Sequence, residues 1–145
     1  MQKINIVCVG KIKEKFYRDA IDEYLKRLSR FAKVEIKELA EGKNLVEEGK
    51  DILKAVKGHV IALCVEGKKL SSEGLAEYTK KLCDKGEEFT FVIGSSHGLC
   101  NEVKNSAHYK LSFSDMTFPH QLMRVILCEQ IYRAFMINSN SEYYK

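Results

Sequence analysis

The sequence predicts an α/β domain with a mainly parallel sheet and helices on both of its faces. Two observations carry that reading. The runs 3–9, 59–67 and 89–94 are apolar almost throughout, as strands covered on both sides must be. Between the strand-like runs lie stretches whose apolar residues recur at helical spacing, so strands and helices alternate along the chain. At 145 residues the chain reads as one domain, residues 1–145. That length buries about 70% of the surface the unfolded chain exposes, so no staple is needed.

The elements follow in order. Residues 3–9 form a near-continuous β-branched run ending at Gly10 and begin the sheet. From Glu14 to about Phe31, Tyr17, Ile21, Tyr24 and Leu28 recur at i, i+4, i+7 and i+11, with Ala20 and Leu25 widening the stripe; this helix packs back on the sheet. Lys33 to Leu39 alternates between apolar and charged residues, the pattern of a strand with one wet face near a sheet edge. Asn44 caps a second helix over 44–57. His59 to Gly67 is a buried strand, stopped by Gly67 and the basic turn Lys68-Lys69. Ser71 or Ser72 caps a third helix through Leu75, Tyr78, Leu82 and Cys83, which Gly86 closes. Phe89 to Gly94 is a third buried strand, opening into Ser95-Ser96-His97-Gly98 and a short helix from about Leu99 to Ser106. Tyr109 to Phe113 gives the last strand. Pro119, the only proline, then starts the last helix, which runs to about Ile137 with Thr117 or Ser114 as possible caps. The polar tail from Asn138 reads as a frayed end.

Composition excludes several classes. The five cysteines are odd in number, lie mostly in apolar runs and never form a C-x-x-C pair, which points to free thiols in a reducing compartment rather than disulfides or zinc. His59, His97, His108 and His120 are dispersed, so no metal site is expected. No run has the length of a signal sequence or membrane span, and a soluble cytoplasmic protein is expected. The net charge of +4 is placed unevenly: residues 1–40 carry ten Lys and Arg against six Asp and Glu, and the remainder carry fourteen of each. A basic front suits a polyanion such as RNA. Lys26, Arg27, Arg30 and Lys33 also fit the end of a helix, where cations complement the macrodipole.

Ligands of open parallel sheets bind beyond the carboxyl ends of the strands. Three such ends look suited to it: Leu63 into Gly67, Val92 through Gly94 into Gly98, and Ser112-Phe113 into Thr117. Glycines, small hydroxyl residues and apolar walls there suit an adenine or another flat heterocycle. Neither a P-loop nor a GxGxxG fingerprint is present. His120 reads as a first-turn residue supporting the last helix. Glu129 and Arg133, four apart, form either a surface pair or part of a site. Ser114, Asp115 and His120 crowd one turn without a nucleophile elbow and do not make a convincing triad.

The stretch Phe91-Val92-Ile93-Gly94, the loop ending His97-Gly98-Leu99, Leu111-Ser112-Phe113-Ser114, Thr117-Phe118-Pro119-His120, Met123-Arg124-Val125 and Glu129-Gln130-x-Tyr132-Arg133-Ala134 resemble the RlmH family. The resemblance extends through Val9-Gly10-Lys11 and the region from Glu66 to Leu75, and so over nearly the whole chain. It implies a SPOUT-class α/β knot with a C-terminal trefoil knot, a homodimer, and S-adenosylmethionine-dependent methylation of N3 of a pseudouridine in the 23S rRNA of the large ribosomal subunit. It further implies that the cofactor contacts Leu63, Gly94 and the turn Phe113, Ser114, Asp115, Met116, Thr117 and Phe118. Arg133 and Tyr144 are implied as catalytic, and Arg124, Arg133, Tyr143 and Lys145 as facing RNA. No metal and no membrane are expected. Ser95 stands where the family usually has a second glycine, and would be strained if the loop needed φ > 0 there. The chain ends Tyr143-Tyr144-Lys145 where the family commonly ends Tyr-His-Arg. The second reading is therefore a ribosome- or RNA-binding module of the same fold with weakened turnover.

Overall fold

The computed structural model describes residues 1–140. Among them the elements run β1 (Gln2–Val9), α1 (Lys15–Leu28), β2 (Ala32–Leu39), α2 (Leu45–Ala55), β3 (His59–Lys69), α3 (Ser72–Asp84), β4 (Phe89–Ile93), α4 (Asn101–Ser106), β5 (Tyr109–Ser112) and α5 (His120–Asn138). The five strands pair in parallel in the order β2-β1-β4-β3-β5. The alternating strand, β2, is an edge, and the strands apolar throughout fill the middle, as two-sided burial requires.

Alternation within the strands sorts the core into two layers. Ile4, Ile6 and Cys8 of β1 point to one face, where they meet Ile21 and Leu28 of α1, Leu75 and Leu82 of α3, and Leu127 and Ile131 of α5. Val7 and Val9 point to the other, against Ile52 of α2 and Val103 of α4. Helices thus cover both faces. Asn44 and Ser71 cap α2 and α3 by accepting the N–H of Glu47 and of Gly74, each at 2.9 Å.

Three local features depart from the sequence reading. Gly67 does not end β3. Leu63 and Lys68 both pair with Leu111, so residues 64–67 bulge out and the strand resumes at Lys68-Lys69. The cause is close backbone approach, since a Cβ on Gly67 would lie 2.8 Å from backbone atoms of Lys110 and Leu111. Pro119 stands at the N-cap of α5, one residue ahead of the first helical position. Neither Thr117 nor Ser114 caps that helix; the Ser114 hydroxyl instead accepts the Met116 N–H at 3.0 Å and closes the preceding turn.

Candidate active site

Beyond the carboxyl ends of β3, β4 and β5 lies a cavity of about 620 Å³. One wall is the β3 bulge with Leu63, Cys64, Val65 and Glu66, a second is Ile93 to Ser96 with Gly98, and the third is Leu111 to Ser114 with Met116 to Pro119. The bulge is what opens the space, because it carries four residues out of the ladder between β3 and β5.

The Gly94 wall is set by its own backbone. A Cβ on Gly94 would fall 2.3 Å from the Gly98 carbonyl oxygen, so the loop can close on itself only with glycine there. Gly98, with φ +88°, makes the turn, and its N–H reaches the Ser95 carbonyl at 2.9 Å. Ser95 carries no positive φ, and the expected strain is absent. Its hydroxyl donates to Glu48 Oε1 at 2.9 Å and accepts the His97 N–H at 3.3 Å. Glu48, 6% exposed on α2, also accepts the Gly42 N–H at 3.1 Å through Oε2. A buried carboxyl thus ties the pocket loop to the segment after β2.

In the third wall Ser112 Oγ donates to the Ser114 carbonyl at 3.0 Å. The backbone N–H groups of Asp115, Thr117 and Phe118 have no partner among the described residues and can meet a ligand. Phe113, Ser114, Met116, Thr117 and Phe118 line the cavity together with Leu63 and Gly94. Asp115 does not: its side chain is 78% exposed and paired with Lys69 at 2.6 Å.

Arg124 is a correction. Its side chain is 1% exposed and cannot face RNA. Nη1 donates to Glu38 Oε2 at 2.9 Å, and Nη2 donates to the carbonyls of Val9 at 3.0 Å and Gly10 at 2.7 Å. The guanidinium therefore fastens α5 to the ends of β1 and β2. Arg133 lies on the opposite side of the helix from Arg124, 25% exposed, with Nη2 2.8 Å from Glu129 Oε2. Tyr143, Tyr144 and Lys145 lie outside the described residues.

The sequence reading did not single out Glu66, Lys104 or His120 as pocket residues. Glu66 and Lys104 form an ion pair between the bulge and α4, and the Lys104 contact holds the Glu66 carboxyl below the usual carboxylate range. A glycine inside an apolar run was the available signal for the bulge; nothing local marks Lys104. His120, read as a supporting residue, lines the cavity.

A parallel sheet that holds an apolar cavity of this size beyond three strand ends, with turn backbone free to bind, is the arrangement of an α/β protein that takes a nucleoside-sized ligand. The family described as "Predicted SPOUT methyltransferase" matches residues 2–144. Ribosomal RNA large subunit methyltransferase H from Clostridium novyi (strain NT) is 52% identical, covering 98% of this chain and 99% of that protein. The protein of the same name from Streptococcus uberis is 46% identical, covering 99% of each. Among solved structures, a methylase family protein from Haemophilus influenzae Rd KW20 shares the fold, with a TM-score of 0.60 at 13% identity over 99% of this chain and 71% of that one. The chain belongs to the SPOUT methyltransferase family and, within it, to the large subunit methyltransferase H, or RlmH, group. Membership implies a methyl donor. Among the described residues there is no cluster of three or more potential metal ligands, and no helix is long and apolar enough to cross a membrane.

Proposed function

We propose that the protein is a single-domain, homodimeric rRNA methyltransferase that uses S-adenosylmethionine to methylate N3 of a pseudouridine in large-subunit rRNA, in the cytoplasm where ribosomes reside. The observation that carries the reading is the 52% identity over 98% of the chain to a relative named for large-subunit rRNA methylation. The cavity fits the donor: its size suits a ligand of that class, its walls are apolar, and the free N–H groups of the Asp115–Phe118 turn can read a heterocycle edge. The sulfonium supplies an activated methyl group with its own leaving group. The chain's residues hold the donor, orient the acceptor base and exclude water. Leu63, Gly94 and the turn Phe113 to Phe118 hold the donor, Asp115 by its backbone. Arg133 stabilises negative charge developing on the base, Tyr144 is a second catalytic residue, and Arg133, Tyr143 and Lys145 contact RNA. The knot would thread the segment carrying α5 through the loop before it.

A second copy of the chain is supported by α5 itself. A helix covering a sheet normally turns a charged face outward. No residue of α5 from Gln121 to Asn138 is fully exposed, and Leu122, Ile126 and Ile137 are half-buried outside both core clusters. The reading is tested by methyl transfer to ribosomes lacking the modification, alongside calorimetry with the demethylated product S-adenosylhomocysteine. Transfer to 23S rRNA with micromolar product binding is expected. Binding without transfer would instead leave an RNA-binding module, and absence of binding would remove both readings.

A further inference from the structure

Most polar side chains lining the cavity are already committed to partners. The hydroxyls of Ser95, Ser112 and Ser114 hold the hydrogen bonds given above, and Lys104 is paired with Glu66. Ser96, Thr117 and His120 line the cavity with side chains that make no hydrogen bond among the described residues. Of these three only an imidazole takes and holds a proton near neutral pH. His120 stands at the first position of α5, with Nε2 3.8 Å from where a Cβ on Gly10 would sit, so it occupies the side of the cavity next to the end of β1.

We propose that His120 is the proton acceptor of the methyl transfer, receiving the N3 proton of the target base. The inference rests on the pseudouridine-N3 reading and adds the identity of its base. The N3–H bond breaks with its electron pair left on nitrogen, and that pair forms the bond to the methyl carbon. The carbon–sulfur bond breaks with its pair kept by sulfur. The proton ends on the imidazole, so one positive charge leaves sulfur and one appears on His120, to be discharged to solvent.

The surroundings of His120 favour this role. Burial first, then the guanidinium of Arg124, pull its pKa below the ordinary 6.5; Lys13 acts in the same sense and Glu41 opposes them. These groups face it from its own helix, from the segment after β1 and from the segment after β2. The imidazole is thus neutral at physiological pH, the form that accepts a proton. The other titratable groups at the cavity are less suited. The Cys64 thiol is pushed up by burial and stays protonated, and Glu66 is pulled down by Lys104.

The test compares wild type, His120→Gln and His120→Ala on ribosomes lacking the modification, in single turnovers across the acid and neutral range. Calorimetry with S-adenosylhomocysteine and an NMR titration of the wild-type imidazole accompany it. Product affinity is expected to stay within about threefold of wild type while the rate falls by about 100-fold or more, with added imidazole restoring part of the His120→Ala rate. The wild-type acid limb should coincide with the His120 titration and vanish in His120→Gln. A rate within about threefold of wild type, a loss of product binding that accounts for the rate, or an acid limb that survives the substitution would each overturn the proposal. The wild-type coincidence needs no variant, so it decides the matter even if a substitution unfolds the protein. A wild type that transfers nothing would remove the function itself, whereas an active wild type beside an equally active His120→Gln removes only this inference.

Discussion

Arg124 Nη1 meets Glu38 Oε2 at 2.9 Å, and this one pair joins the start of α5 to the end of β2 across the mouth of β1. The same Glu38 oxygen accepts the Ile12 N–H at 3.0 Å, while Arg124 Nη2 holds the Val9 and Gly10 carbonyls. The helix that carries His120 and Arg133 is therefore indexed to the sheet by a buried fork of donors rather than by apolar packing alone. A planar guanidinium is needed, because a lysine ammonium cannot reach an acid and two carbonyls in that fixed geometry.

Arg124→Ala removes the Arg124 donors from the Val9 and Gly10 carbonyls and from Glu38 Oε2, which keeps only the Ile12 N–H. Loss of a buried pair costs about 3 kcal/mol here, the lower end of the usual range because Glu38 keeps 25% of its side chain exposed. Arg124→Lys should recover less than half of it. Urea unfolding monitored by circular dichroism measures both, and an Arg124→Ala midpoint equal to wild type would contradict the assignment.

Gly94→Ala separates a steric requirement from a conformational one. The new methyl would overlap the Gly98 carbonyl oxygen at 2.3 Å, and backbone cannot swing aside as a side chain can. The loop must open, and S-adenosylhomocysteine affinity should fall by about tenfold or more, equivalent to about 1.4 kcal/mol. Calorimetry decides this. Binding unchanged within error would mean that the loop yields without cost or that the ligand does not touch it.

Ser95 and Glu48 should behave as a coupled pair. Ser95→Ala removes the donor to a carboxyl that is 6% exposed, and Glu48→Gln turns an amide toward a donor on one side. Each single change should cost about 1–3 kcal/mol, with a coupling of about 1 kcal/mol in the double variant. Additive losses in thermal unfolding would show that the two residues act independently.

How far the sequence could be read follows from which forces are local. Strand and helix patterns, the edge position of β2 and the three strand ends around the cavity all follow from apolar spacing along short segments. Leu63, Gly94 and the turn after β5 therefore appeared together before their geometry was known. The role of Arg124 did not, because its partners lie 86, 114 and 115 residues away and an arginine on a helix looks the same whether it faces RNA or a buried carboxyl. The bulge after Leu63 was hidden for a related reason: Gly67 signals close approach, but what approaches it is β5, far along the chain. His120 looked like a first-turn residue, and it is one; only the cavity wall gives it a second meaning.

The opposite end of the sheet supplies a stability test that the pocket does not enter. His59, at the start of β3, shares a hydrogen bond with the Tyr78 hydroxyl at 2.5 Å and stacks on His108 with ring centroids 4.7 Å apart. His108 Nδ1 accepts the Val60 N–H at 3.0 Å. Burial first, then His108, lowers the His59 pKa, with Lys85 acting in the same sense and Glu87, 4.0 Å away, opposing. Since the folded-state value lies below the unfolded one, the unfolded chain binds more protons in the window between them, and stability rises with pH there. The His59 contribution is complete above about pH 6.5 and shrinks as pH falls, until the folded imidazole itself titrates. One extra proton gives a slope of at most about 1.4 kcal/mol per pH unit. His120 shifts in the same direction, so the wild-type slope contains both, and the difference between wild type and His59→Gln isolates the first. Urea midpoints measured through the mildly acidic range should fall less steeply for His59→Gln; parallel curves would mean that His59 takes up its proton equally well folded and unfolded.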